Sequence, residues 1–249
     1  MKNTFIITLA LLFSSAIFAE DDALKNADSK AFLEKARRPP VQESWAKLTG
    51  TIIHKRADKE NQESPIYLGL RFTPERILAQ VYINENESYN LGQQYGAAPG
   101  GTSIIATNRN PGGKSVLGDF GLRPEDLTLS FLYWDFVSEL GKDSVKGREC
   151  RVFMLKSPIL QEKVKIYIDT ETCFPVKAEW IREDKENKGK ENIYRTIEIT
   201  SFRKESDFWF VDSFVIYGPG WKTKVEFGNI SAGLAKDGVP EDVFKKNSH

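Results

Sequence analysis

The residue types that carry nucleophilic or metal chemistry are sparse in this sequence. Its histidines are His54 and His249 and its cysteines Cys150 and Cys173. A histidine metal centre or a Ser-His-Asp arrangement would have to use His54, which sits in a stretch with an ordinary strand pattern. Pro111-Gly-Gly-Lys-Ser115 looks like the end of a phosphate-binding loop, but Asn108 stands where that pattern needs glycine. Neither a hydrophobic strand before it nor a helix after it is readable, so it is expected to be a glycine-rich turn. The acidic pairs Glu125-Asp126 and Glu241-Asp242 stand at expected helix starts, where the helix dipole favours negative charge. Asp169, Glu171 and Glu179 fall on one polar strand face without the spacing of a catalytic dyad. The sequence therefore supplies no convincing active site, no metal site and no cofactor motif, and points to a protein that is not an enzyme.

The cysteines invite a different reading. If the segments 149–156 and 163–169 pair as a hairpin, residue 150 lies near residue 169, and the next turn carries residue 173 back to the same sheet end. A Cys150–Cys173 disulfide is then expected in an oxidising compartment; the alternative is two free, buried thiols.

The compartment follows from residues 1–19. A short cationic start, an apolar run from Thr4 to Phe13 and the small-x-small ending at Ala19 form a signal peptide, cleaved after Ala19. The apolar run is shorter than the ~20 residues a spanning helix needs, and no cysteine near the cleavage site offers a lipid anchor. Residues 20–249 are expected to form one domain. With 35 basic and 35 acidic residues, the chain has no electrostatic footprint for nucleic acid. A soluble monomer in the periplasm is expected.

The elements are predominantly strands. Alternation of apolar and polar residues predicts them at 44–55, 65–73, 76–84, 87–95, 149–156, 163–169, 174–181, 193–204, 208–217 and 221–231. Short turns between neighbours imply antiparallel pairing. Val164, Ile166 and Ile168 share one face and Lys165, Tyr167 and Asp169 the other, so the sheet is expected to have one apolar and one wet face. A helix is predicted over 21–38, with Asp28 or Ser29 as a cap inside it, and short helices at Pro124 and at 239–244. Residues 96–121, rich in glycine, read as a long loop, and 184–192 as a solvated hairpin tip.

One cluster, Leu129, Phe131, Leu132, Tyr133, Trp134 and Phe136, must be buried by something. It either completes a closed core or, with the apolar sheet face, lines a cavity able to hold an acyl chain. The residues expected to line such a cavity are Phe131, Trp134, Ile166, Ile168 and Trp180.

The segments Gly121-Leu-Arg-Pro-Glu-Asp-Leu127, Phe131-Leu-Tyr-Trp-Asp135, Val145-Lys-Gly-Arg-Glu-Cys-Arg-Val152, Val164-Lys-Ile-Tyr-Ile-Asp169 and Pro175-Val-Lys-Ala-Glu179 follow one another in an order that resembles bacterial outer-membrane lipoprotein-sorting proteins, relatives of the periplasmic carrier LolA. The resemblance implies an unclosed, strongly curved antiparallel β-barrel, mainly β, with helices covering its concave hydrophobic face. It further implies binding of a lipid or an acylated lipoprotein without catalysis or cofactor, and exchange with an inner-membrane donor and an outer-membrane acceptor. The same fold also serves as an envelope lipoprotein sensor or assembly module.

Overall fold

The computed structural model describes residues 4–8, 11–15, 27–37, 42–57, 59–84, 87–95, 102–108, 115–160, 162–183, 191–205 and 208–245. Two short strands, β1 (Thr4–Thr8) and β2 (Leu11–Ser15), pair with each other as a two-stranded sheet of their own. The remaining strands are β3 (Ser44–Arg56), β4 (Lys59–Phe72), β5 (Arg76–Ile83), β6 (Glu87–Gln94), β7 (Thr102–Asn108), β8 (Asp135–Val145), β9 (Arg148–Lys156), β10 (Lys163–Asp169), β11 (Pro175–Glu183), β12 (Glu191–Glu205), β13 (Phe208–Gly218) and β14 (Trp221–Leu234). The helices are α1 (Ser29–Ala36), α2 (Val116–Asp119) and α3 (Pro124–Thr128).

β3 to β14 form one antiparallel sheet of 12 strands in the order β7-β6-β5-β4-β3-β14-β13-β12-β11-β10-β9-β8. Two meanders, β3 to β7 and β8 to β14, are joined where the last strand pairs with β3 along its whole length, from Ser44↔Leu234 to Arg56↔Trp221. β7 and β8 end the sheet as edges, so it is not closed into a barrel.

The register carries one continuous apolar row across the second meander. Phe153 lies opposite Ile166, Ile166 opposite Ala178, Ala178 opposite Ile197 and Ile197 opposite Ile216. All five are buried, as are Leu48, Leu68, Val81 and Tyr89, which face one another across the first meander. Burial of such β-branched and aromatic side chains, at about 25 cal/mol per Å² of apolar surface, is the main term holding the strands together.

The opposite face is polar but only partly wet, which corrects the expectation. Tyr167, Asp169 and Glu179 are buried there. Glu179 accepts from the Tyr167 hydroxyl at 2.9 Å and pairs with Lys177 at 2.5 Å, and both Lys165 and Lys177 lie over the Tyr167 ring. Long lysine stems thus cover a surface that strict alternation assigns to solvent. On the first meander the C-terminal segment lies across this face. The Tyr67 hydroxyl donates to the carbonyls of Asp242 and Val243, and Gln80 exchanges two hydrogen bonds with the backbone of Lys245. Gly69 is required beneath it, because a Cβ there would stand 2.0 Å from the Val243 oxygen.

Several predicted elements are revised. The helix over 21–38 is observed as α1, starting after Asp28, whose carboxylate accepts from the N–H groups of Lys30 and Ala31. Residues 21–26 lie outside the described residues, as do 184–190 of the charged tip. The stretch read as a loop contains β7 and α2. Residues 135–145 form β8, which the pattern did not reveal, β4 begins six residues earlier than expected, and the closing segment is a single 3-10 turn over Glu241–Val243.

Candidate functional site

The site is assembled by the connection between the two meanders. After α3 the chain reverses through Leu129, which has a left-handed backbone (φ 52°), into a 3-10 turn over Ser130–Tyr133. This turn delivers Phe131 to the apolar sheet face. Its ring meets Trp180 edge to face, with centroids 4.9 Å apart. Arg37, at the C-terminal end of α1, holds the connection in place. Its Nε donates to the Leu132 carbonyl at 2.8 Å and its Nη2 to the Trp134 carbonyl at 2.6 Å. From the same helix Phe32 stacks on Phe153 of β9 at 5.8 Å, and Arg151 lies over the Phe32 ring.

Of the five residues expected to line a cavity, Phe131, Ile166, Ile168 and Trp180 are fully buried and Trp134 packs half-buried against the same cluster. Ile166 and Ile168 alternate with Tyr167 on β10, and Val164 of the same row pairs with Trp180. Sequence reasoning missed the polar partners of this cluster. Asp126 pairs with Arg195 of β12, and both are buried. Asp126 also accepts from the Arg123 N–H at 2.6 Å, so its role at the helix start is the expected one with a second partner added. No local pattern marks Arg195 as that partner, because the two are brought together only by the sheet.

α2 is fastened from the other meander. Glu87, buried on β6, accepts from the N–H groups of Val116 and Leu117 at 2.6 and 3.2 Å and from the Ser115 hydroxyl at 2.9 Å. The Tyr89 hydroxyl also bonds Glu87, and burial together with this bond pushes its pKa up to about 12. Ser115 is the one residue of Pro111–Ser115 within the described residues. A helix follows it directly, contrary to the expectation. A phosphate is nevertheless disfavoured, since the Glu87 carboxylate already occupies the helix start.

His54 is structural in its setting. Arg56 Nε donates to His54 Nε2 at 2.9 Å, which leaves Nδ1 as the donor to Thr223 Oγ1 at 2.7 Å. Thr223 in turn donates to the Phe120 carbonyl at 2.5 Å. Burial, and then the Arg56 charge, hold the His54 pKa below its ordinary value. Gly121, just after Phe120, has φ 69° and leaves room for Trp221, whose ring a Cβ would meet at 2.7 Å.

The disulfide expectation is overturned. The register does place Cys150 opposite Asp169. However, Cys173 sits with a left-handed backbone in the tight turn closed by its N–H to the Asp169 carbonyl. The two cysteines form no disulfide; both are buried and lie too far apart to bridge. Burial, with the Asp169 charge nearby, pushes the Cys150 thiol up to about 11, so it is not a reactive thiolate near neutral pH.

Among the described residues no group of three or more His, Cys, Asp and Glu side chains is arranged to hold a metal ion. No helix among them is long and apolar enough to cross a membrane. A surface cleft of about 570 Å³ is lined by Lys55, Arg56, Tyr217, Trp221 and neighbours, away from the expected lining residues.

Solved structures share this fold, among them the following three. A domain of an outer membrane lipoprotein-sorting protein from Vibrio parahaemolyticus matches with a TM-score of 0.61 and 16% identity, over 90% of this chain and 98% of its own. A DUF1329 family protein from Desulfovibrio piger matches with a TM-score of 0.59 and 12% identity, over 90% and 97%. A LolA superfamily protein from Nitrosomonas europaea matches with a TM-score of 0.53 and 14% identity, over 89% and 99%. No protein-family model and no curated protein sequence matches the chain. At such identities the likeness is one of fold.

Proposed function

We propose that the protein is a periplasmic carrier of a lipid or an acylated lipoprotein, working as a monomer in outer-membrane lipoprotein sorting, without catalysis or cofactor. In this reading residues 1–19 are the removed signal peptide and residues 20–249 the carrier domain. The sheet curves, α1 to α3 and the 3-10 turn cover its concave face, and an acyl chain lies between them against Phe131, Trp134, Ile166, Ile168 and Trp180. An inner-membrane donor loads the chain and an outer-membrane acceptor unloads it.

The observation that carries the reading is the placement of Phe131 on Trp180. Apart from Phe136, which belongs to β8, the aromatic cluster is not a strand of the sheet but a separate connection over residues 129–134, laid on its apolar face and tied down by a few polar contacts, chiefly those of Arg37. A layer attached in this way can separate from the sheet without breaking strand pairing. The lipoprotein-sorting and LolA superfamily fold neighbours support the same reading.

Native mass spectrometry of the mature protein purified gently from its own periplasm tests it. A retained acylated species, lost on detergent washing, is expected. Protein of bare polypeptide mass that takes up no acyl ligand when offered one would contradict it.

A further inference from the structure

A polar knot is set among the apolar residues of the proposed chain-binding layer. Asp126, Trp180 and Arg195 are each no more than 3% exposed. The Arg195 guanidinium stacks over the Trp180 ring, 4.5 Å from its centroid. Its Nη2 donates to Asp126 Oδ2 and to the Gly121 carbonyl. Asp126 Oδ2 also accepts from the Arg123 N–H. The pairing is lopsided: among the described residues, Asp126 Oδ1, Arg195 Nη1 and Trp180 Nε1 find no hydrogen-bond partner.

Three unpartnered polar atoms on three touching side chains are unusual in a protein interior, because each loses its water and receives nothing in exchange. An arginine and a carboxylate free to choose their geometry would pair through both oxygens. Here the second donor and the second acceptor are left open beside an indole N–H. The arrangement offers two donors and one acceptor, and its formal charges cancel.

We propose that Asp126, Trp180 and Arg195 form a subsite for the neutral head of an acyl group. Its ester or amide carbonyl accepts from Arg195 Nη1 and Trp180 Nε1, and an adjoining N–H or O–H of the ligand donates to Asp126 Oδ1. This rests on the carrier reading and adds a specificity to it. A free carboxylate is a poorer fit, since Asp126 already neutralises Arg195 and its open oxygen repels a second anion. The hydrocarbon tail then runs past Phe131 toward Ile166 and Ile168.

The test uses the delipidated mature protein and displacement of a fluorescent acyl probe by monooleoylglycerol, oleate and 1-octadecene. The parent is expected to prefer monooleoylglycerol to both others. Trp180→Phe removes one donor and keeps an aromatic ring, and the pair Asp126→Leu with Arg195→Met removes the whole knot. Each variant should lower the preference for monooleoylglycerol over octadecene, by about three- to tenfold for a single lost hydrogen bond. Should the double variant fail to fold, Trp180→Phe decides alone. Variants that melt differently yet keep the parental preference would show a structural, hydrated ion pair and overturn the subsite. Stronger displacement by oleate would overturn it too. If the parent bound none of the three, the carrier reading itself would fall, an outcome distinct from binding without head-group preference.

Discussion

Arg37 and Leu132 are joined by a charged hydrogen bond of 2.8 Å, and the same guanidinium reaches the Trp134 carbonyl. One arginine at the end of a short helix thereby fixes the carbonyls on either side of Tyr133, directly after Phe131. Burial lowers the Arg37 pKa from its ordinary value, yet the group stays charged at any physiological pH. Arg37→Met keeps much of the packing stem and removes both bonds. The expected loss of stability is about 1.5–3 kcal/mol, read by denaturant unfolding, with faster amide exchange over residues 130–134. Unchanged exchange there would show that packing alone holds the turn.

Glu87 makes a comparable prediction for α2. Glu87→Ala leaves the N–H groups of Val116 and Leu117 without their buried acceptor, and a loss of about 2–4 kcal/mol is expected from two such vacancies. Glu87→Gln, which retains one acceptor oxygen, should cost less. Equal effects of the two substitutions would mean that the charge, rather than the capping geometry, holds the helix.

The chain Arg56, His54, Thr223, Phe120 sets a pH dependence. The folded pKa of His54 lies below its ordinary value of 6.5, so the unfolded chain takes up the proton first as pH falls. Stability from this group is complete above pH 6.5, declines as pH drops toward the folded pKa and is then lost. A melting-temperature profile should therefore fall more steeply below pH 6.5 in the parent than in His54→Gln. Parallel profiles would contradict the neutral tautomer assigned here.

Much of the fold was legible because strands such as β9 and β10 pair at a period of two without interruption. Val164, Ile166 and Ile168 are all fully buried, and the pairing of Cys150 with Asp169 was read correctly. β8 was not legible because two register shifts, at Phe136/Ser138 and at Glu139/Gly141, break its alternation and leave Val137 and Leu140 exposed. β7 escaped because it is an edge strand within a glycine-rich stretch, with Ile104 and Ile105 both exposed. At the candidate site the burial of Ile166, Ile168 and Trp180 was readable from strand alternation, and that of Phe131 from the apolar clustering around it. The Asp126–Arg195 pair was not, since only tertiary structure brings a helix start to the middle of β12.

The thiols give a simple check on the correction at the cysteines. Native protein should react slowly with a thiol reagent at neutral pH, and denatured, unreduced protein should show both Cys150 and Cys173 reacting. Addition of a reductant should leave the melting temperature unchanged. A fall on reduction would restore a cross-link that the structure lacks.

The most direct test of the acyl-binding account is covalent capture with a photoactivatable fatty-acyl probe bearing a diazirine near the chain end. The labelled peptides are then mapped by mass spectrometry. Saturable labelling within residues 131–134 and 164–180, competed by unlabelled monooleoylglycerol, is the predicted result. Labelling confined to exposed apolar positions such as Ile159 and Leu160, without saturation or competition, would contradict it.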